Sequence, residues 1–327
     1  MTTRRNFVLL PAATLLCGRR PPSGDPRPEP LPATRLVFGG DVMLSRFVGR
    51  LARSQRDPTW PFQALAPYLA GADIAFLNLE SPFSDRGWPV EKGMVFKAEP
   101  EMIDGLLMAG VDVVSTANNH ARDCGAYGIE FTLGWLARHG VAAAGTGMTE
   151  EEARQGAVLE RNGVRFGFLA YTYDQSNGNH PKPDPRVAML DLERMREDIA
   201  GMKARSDVVI VSMHAGVEYR PKPNEQQLRF ARAAIDAGAR LVVGHHPHVV
   251  QPVEKYGEGV IFYSLGNLIF DQFHRRETQR GLLSEVTFRG KWLERVELRD
   301  VEIPRGAPQL SGLPSVFLER SIAPAGG

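Results

Sequence analysis

Five times along this chain, a short apolar run rich in β-branched residues stops at a side chain able to hold a metal or move a proton, and helical sequence follows. The runs occupy residues 35–40 before Asp41, 72–79 before Glu80, 111–116 before Asn119 and His120, 207–213 before His214, and 242–244 before His245, His246 and His248. Parallel α/β sheets place ligands at the carboxyl ends of their strands, so these side chains can meet on one edge although they lie far apart in sequence. That recurrence predicts an α/β fold with one shared site.

The histidine cluster is the densest part of the pattern. Neutral imidazole is the commonest metal ligand, and His246 and His248 flank Pro247, which stiffens a turn that can aim both rings at one point. A solvated loop would also tolerate these histidines; the other polar residues at strand ends favour a site. Asp41 is the first metal candidate and also suits a cap for the segment at 42–51, two roles that coexist. Glu80 is the second candidate. Asn119 offers a neutral amide oxygen to a hard ion, and His120 beside it can protonate a leaving group. Asp123 either holds the His120 ring in one tautomer or caps the helix expected over 124–139. His214 completes the strand-end set. His139, beside Gly140 at a helix C-terminus, reads as structural, and His180 as an exposed loop residue. Residues 81–98 read as a long loop of the kind that often forms a substrate lid, where Trp88, Lys92 and Lys97 could meet an anion, although a solvated loop carries such residues as well.

Composition removes several function classes. The 327 residues carry 39 basic and 38 acidic side chains, well mixed, which argues against a nucleic-acid partner. Cys17 and Cys124 are the only cysteines, so neither a disulfide framework nor a thiolate zinc site is available. Any metal falls to His, Asn, Asp and Glu. Arg4 and Arg5 precede a short apolar stretch, so residues 1–18 are expected to be an export signal of twin-arginine type, with Cys17 a candidate for lipid attachment. Residues 19–33 read as a Pro-rich linker, 34–303 as the folded domain, and 304–327 as an irregular Pro-rich tail. Asn162-Gly163 predicts a tight hairpin, and the runs at 282–288 and 292–303 an antiparallel closing sheet.

Gly40-Asp41-Val42-Met43-Leu44, Asn78-Leu79-Glu80, Ala117-Asn118-Asn119-His120 with Asp123, Gly125 and Gly128, the stretch from His214 to Tyr219, residues 244–251, and the stretch from Ser264 to Asp271 together resemble the CapA (PgsA-type) proteins of bacterial poly-γ-glutamate capsule synthesis. That family looks like a branch of the calcineurin-like metallophosphatases, which implies a four-layer α/β/β/α sandwich with two divalent ions (Mn, Fe or Zn). By the same resemblance, Asp41 and Glu80 are carboxylate ligands, Asn119, His214 and His246 serve one ion, His248 serves the other, and His120 is the general acid. His245, Glu218 and Asn267 are carried over as substrate-binding residues. The phosphatase pattern has a histidine where this chain has Met43, a poor ligand for a hard ion, which implies a weak or empty first position. The implied activity is hydrolysis of a phosphoester or related bond, on an anionic polymer or phosphoester substrate, within a capsule synthesis complex at the membrane. A non-catalytic polymer-binding or assembly factor is the alternative, and a sugar binder using Trp60 and Trp88 a third.

Overall fold

The short apolar runs, most of them buried along their whole length, form the strands of two sheets in a computed structural model, which describes residues 31–86, 94–172 and 184–320. The expected export signal, nearly all of the linker, Cys17, Trp88, Lys92 and His180 lie outside the described residues. Pro32–Ile322 forms one compact unit.

The first sheet contains β1 (Ala33–Val42), β2 (Ile74–Leu79), β3 (Val113–Ser115) and β4 (Ala142–Ala144) in parallel. Short β11 (Asn267–Ile269) pairs parallel with β1 at its carboxyl end. On its other side β1 meets the antiparallel run of β12 (Arg280–Arg289), β13 (Trp292–Glu302) and β14 (Gln309–Glu319). In the second sheet, β6 (Val164–Thr172), β7 (Val208–His214), β8 (Leu241–His245) and β10 (Gly259–Phe262) run parallel. Antiparallel β5 (Ala157–Arg161) and β9 (Val253–Tyr256) form its edges. Asn162 and Gly163 both take positive φ, 53° and 74°, as the tight turn between β5 and β6 demands.

Three apolar cores follow from the period-2 alternation. Leu36, Phe38, Ile74 and Phe76 of the first sheet pack with Phe166, Phe168, Ile210 and Val243 of the second. The intervening residues of the first sheet, such as Val37, Ala75 and Leu77, face α1 (Arg46–Gln55), α3 (Ile103–Met108) and the Leu136 turn of α4 (Gly125–Arg138). Those of the second, such as Val209, Val211 and Val242, face α6 (Leu192–Arg205) and α7 (Glu225–Ala237). Both latter helices start on side-chain caps: Asp191 accepts from two backbone N–H groups, and Asn224 forms a reciprocal capping box with Gln227.

Two expectations are corrected. The tail after Pro304 is not irregular throughout: Gln309–Glu319 forms β14, paired with β13. Gly312 and Pro314 hid it, and both are tolerated because β14 is an edge strand whose register slips opposite Leu298–Asp300. The segment at 42–51 is not capped by Asp41, which lies within β1; the helix begins at Arg46, after Ser45.

The carboxyl end of β1 needs a close backbone approach at Gly40, where an added Cβ would land on the Gly266 carbonyl oxygen. A Gly40→Ala chain should lose about 1–3 kcal/mol or more of stability, read as a lower urea midpoint. Gly134, exposed in α4 with open space at its Cβ position, gives the contrast: Gly134→Ala should gain about 0.5–1 kcal/mol in the same measurement.

Candidate metal centre

Asp41 and Glu80 come from the first sheet, His214 from the end of β7, and His246 and His248 from the turn after β8. All five are at most 2 % exposed. The turn is bought with backbone strain: His246 has φ 96° and His248 φ 58°, a region that costs a non-glycine residue about 1–3 kcal/mol. Asp41 Oδ2 accepts the His246 backbone N–H at 3.1 Å, which helps to hold that turn.

Among the described residues, two groups of side chains offer ligand atoms within 4.8 Å of one another: Glu80, His214 and His246, and Asp41, Glu80 and His248. Glu80 belongs to both. Asn119 Oδ1 lies 2.9 Å from His214 Nε2, which places the amide oxygen at the first group. His248 Nδ1 is held by Asn267 Oδ1 at 2.9 Å, so Nε2 is the nitrogen turned towards Glu80, 3.9 Å away.

The electrostatics of these groups call for a cation. Both Glu80 carboxylate oxygens are buried and accept no hydrogen bond. Burial, and then the charges of Asp41, Glu218 and Asp123, push its carboxyl well above the ordinary range. Burial also acts to raise Asp41, but His245 and His248 outweigh it and hold that carboxyl well below its usual value. Burial and the neighbouring His246 keep His214 well below the usual imidazole value; burial and His248 push His246 down to about 3. His214 and His246 are therefore held in the neutral form, the one that ligates, with two buried carboxyl groups beside them. Nitrogen and oxygen donors of this kind suit borderline or hard divalent ions, so the residues fit a metal.

His120 and Asp123 sit beside this group. Asp123 Oδ2 accepts from His120 Nδ1 at 2.7 Å and from the Phe96 backbone N–H at 2.6 Å. Phe96 stacks on the His120 ring at 3.8 Å between centroids. Cys124, not Asp123, stands at the helix N-cap, so the orienting role is the one the geometry carries.

Three residues carried over as substrate-binding fall differently. His245 has no exposed surface; its Nδ1 lies 3.4 Å from Asp41 and its ring packs near Phe76, so it is a buried neighbour of Asp41. Asn267 is equally buried and orients His248 while donating to Thr278 O at 2.8 Å. Only Glu218 is exposed at the mouth. Met43 is buried in the core, its sulfur accepting from the Ser45 hydroxyl at 3.0 Å. Lys97 pairs with Glu99 at 3.4 Å, and His139 bonds the Trp135 carbonyl at its helix end. Asn78, not singled out above, donates through Nδ2 to Asp41 Oδ1 at 2.8 Å and lies 3.1 Å from His214 Nδ1. Its signal was a polar residue inside an otherwise apolar buried strand.

Residues 35–272 match the family described as bacterial capsule synthesis protein PGA_cap. The chain belongs to this family. Among relatives, it is 33% identical to the PGA biosynthesis protein CapA of Bacillus subtilis (strain 168), over 83% of this chain and 72% of that protein. It is 30% identical to the capsule biosynthesis protein CapA of Bacillus anthracis, over 84% and 68%. A probable polyglutamine synthesis accessory protein of Mycobacterium tuberculosis is 27% identical, over 72% and 74%. The family match ends at residue 272, so β12, β13 and β14 lie beyond it.

Glu80→Gln tests the centre directly. Without metal, burial already disfavours the ionised carboxyl and the neutral amide copies its protonated form, so the variant should melt at or above the parent chain in EDTA. Manganese at a hundredfold excess over its Kd should stabilise the parent by about 2.7 kcal/mol and the variant far less, read as Tm shifts.

Proposed function

We propose that this chain acts in the synthesis or processing of a capsule poly-γ-glutamate as a divalent-metal-dependent hydrolase, cutting a phosphoester or a related bond such as a γ-glutamyl amide. The names of the relatives support the capsule assignment. The single observation that carries the hydrolytic reading is Glu80, a buried carboxylate without hydrogen-bond donors, shared by two ligand groups. We read the three cores as the helix, sheet, sheet, helix stack of a metallophosphatase-type four-layer sandwich, whose strand ends supply the ligands.

In this reading Glu80, His214, His246 and Asn119 hold one ion, and Asp41, Glu80 and His248 a second, with Mn, Fe and Zn the fitting elements. Such a pair supplies Lewis-acid polarisation and lowers the pKa of water into the neutral range. The chain's own part begins with His120. Asp123 accepts the Nδ1 proton, so Nε2 is the nitrogen that gives a proton to the leaving group. Phe96 covers one flank of that ring and fixes its plane. Asn78 keeps Asp41 and His214 in register with each other.

The anionic polymer or phosphoester partner, export through a twin-arginine signal at residues 1–18, a lipid anchor at Cys17 and a place in a membrane capsule complex belong to the same proposal. No described helix is long and apolar enough to cross a membrane. A second reading, a non-catalytic polymer-binding or assembly factor, is favoured by Met43, whose thioether is spent on Ser45 rather than on the centre.

Elemental analysis of the purified chain separates the two. About two metals per chain, lost in a His214→Ala/His246→Ala double variant, support the hydrolase; no metal after Mn²⁺ or Zn²⁺ is supplied supports the assembly factor. His120→Ala should keep the metal and lower turnover on phosphoester or γ-glutamyl substrates by about 10²–10⁴-fold. Unchanged turnover would remove His120 from the acid role.

A further inference from the structure

A cavity of about 590 Å³ opens where the turn after β8 meets the antiparallel strands. Tyr219, Val249 and Val250 form one wall; Val249 and Val250 follow His248 directly, and the Tyr219 ring centre is 6.4 Å from that of His248. The opposite wall is β12, β13 and β14. Arg280 stands directly across from Glu302, and Asp300 across from Ser311, so the two-residue repeat puts Arg280, Asp300, Glu302 and Ser311 on one face. Arg275 and Glu277 complete the rim.

The charges of this cavity are mixed and unspent. Among the described residues, Arg275, Arg280, Asp300 and Glu302 are exposed and make no ion pair, although Arg280 and Glu302 are cross-strand neighbours. The Arg275 guanidinium lies 4.9 Å over the Tyr219 ring, an arrangement that leaves its N–H edge for a carboxylate. Tyr219 is itself held in place: it has φ 63°, its N–H donates to Pro247 O at 2.8 Å, and its hydroxyl accepts from Gln272 at 3.4 Å. Strain of this kind persists where surroundings over-determine it.

A purely anionic ligand would meet three carboxylates here, and a purely cationic one two guanidinium groups. A ligand with both charges satisfies the whole wall. We propose that this cavity binds the amino-terminal end of a carboxylate-bearing peptide chain, its ammonium on Asp300 and Glu302 and its carboxylates on Arg275 and Arg280. This rests on the capsule-polymer reading and adds to it that the chain is held by its end, beside the metal centre on the His248 side.

Calorimetric titration of the full chain tests this with three probes: a γ-linked glutamate trimer, the same trimer N-acetylated, and inorganic phosphate. The trimer should bind, at least tenfold more tightly than its acetylated form, and millimolar phosphate should not displace it. Arg280→Gln and Asp300→Asn, both at exposed positions and checked for an unchanged melting profile, should each weaken the trimer at least tenfold. The His214→Ala/His246→Ala variant should bind it as the parent does, so loss of the metal reading leaves this result standing. The proposal is overturned if the trimer gives no heat, if acetylation or Asp300→Asn changes nothing, or if binding vanishes with the two histidines.

Discussion

The structure turns on Asp41. Its carboxylate is fully buried at the end of a strand of the first sheet, accepts the Asn78 amide from the neighbouring strand, and accepts the His246 backbone N–H from the turn that follows β8 of the second sheet. Hydrogen bonds to a buried charge are worth roughly 1.5–3 kcal/mol each, more than neutral ones, and removing a partner leaves the charge stranded. One carboxylate thus joins the carboxyl ends of both sheets. The strained turn carrying His246 and His248 is held by the same bond, so metal-ligand geometry and the mutual placement of the sheets share a cause.

Glu80 shows the reverse condition. Asp41 is satisfied by the protein and stays ionised, whereas Glu80 is buried beside it with no donor at all. Two buried carboxylates this close repel unless something positive lies between them. His214 and His246 do not supply that charge, since burial keeps both well below the usual imidazole value. The result is a buried cup of carboxyl oxygens and imidazole nitrogens that could hold a metal ion.

Much of this was legible in sequence because it depends on local pattern. Apolar runs ending in Asp41, Glu80, Asn119 and His214 are strand ends, and a strand end decides where a side chain goes. Division into two sheets was not legible from the runs alone: a buried strand has the same composition whichever sheet it joins, and only the family resemblance suggested the split. The second rank of the centre was also hidden. Asn78 and Asn267 act through which atoms they face, and His245 sits next to a ligand in sequence yet turns into the core beside Phe76. Strand β14 was missed because Gly312 and Pro314 signal a loop everywhere except at a sheet edge.

Met43 makes the centre asymmetric. The side chain two positions beyond Asp41 lies in the helix-side core with its sulfur on Ser45, so it offers no donor to either group. The ligand group around His214 keeps four donors, counting Asn119, while the group around His248 has three, one of them shared through Glu80. Fewer donors mean weaker retention and more coordination positions left for water or substrate, as catalytic sites require and structural ones avoid. The His248 side is also the side on which the mixed-charge cavity opens, past Tyr219. The three-donor group and the mixed-charge cavity therefore fall on the same flank, while Asn78, bonded to Asp41 in that group and in contact with His214 in the other, ties the two groups together.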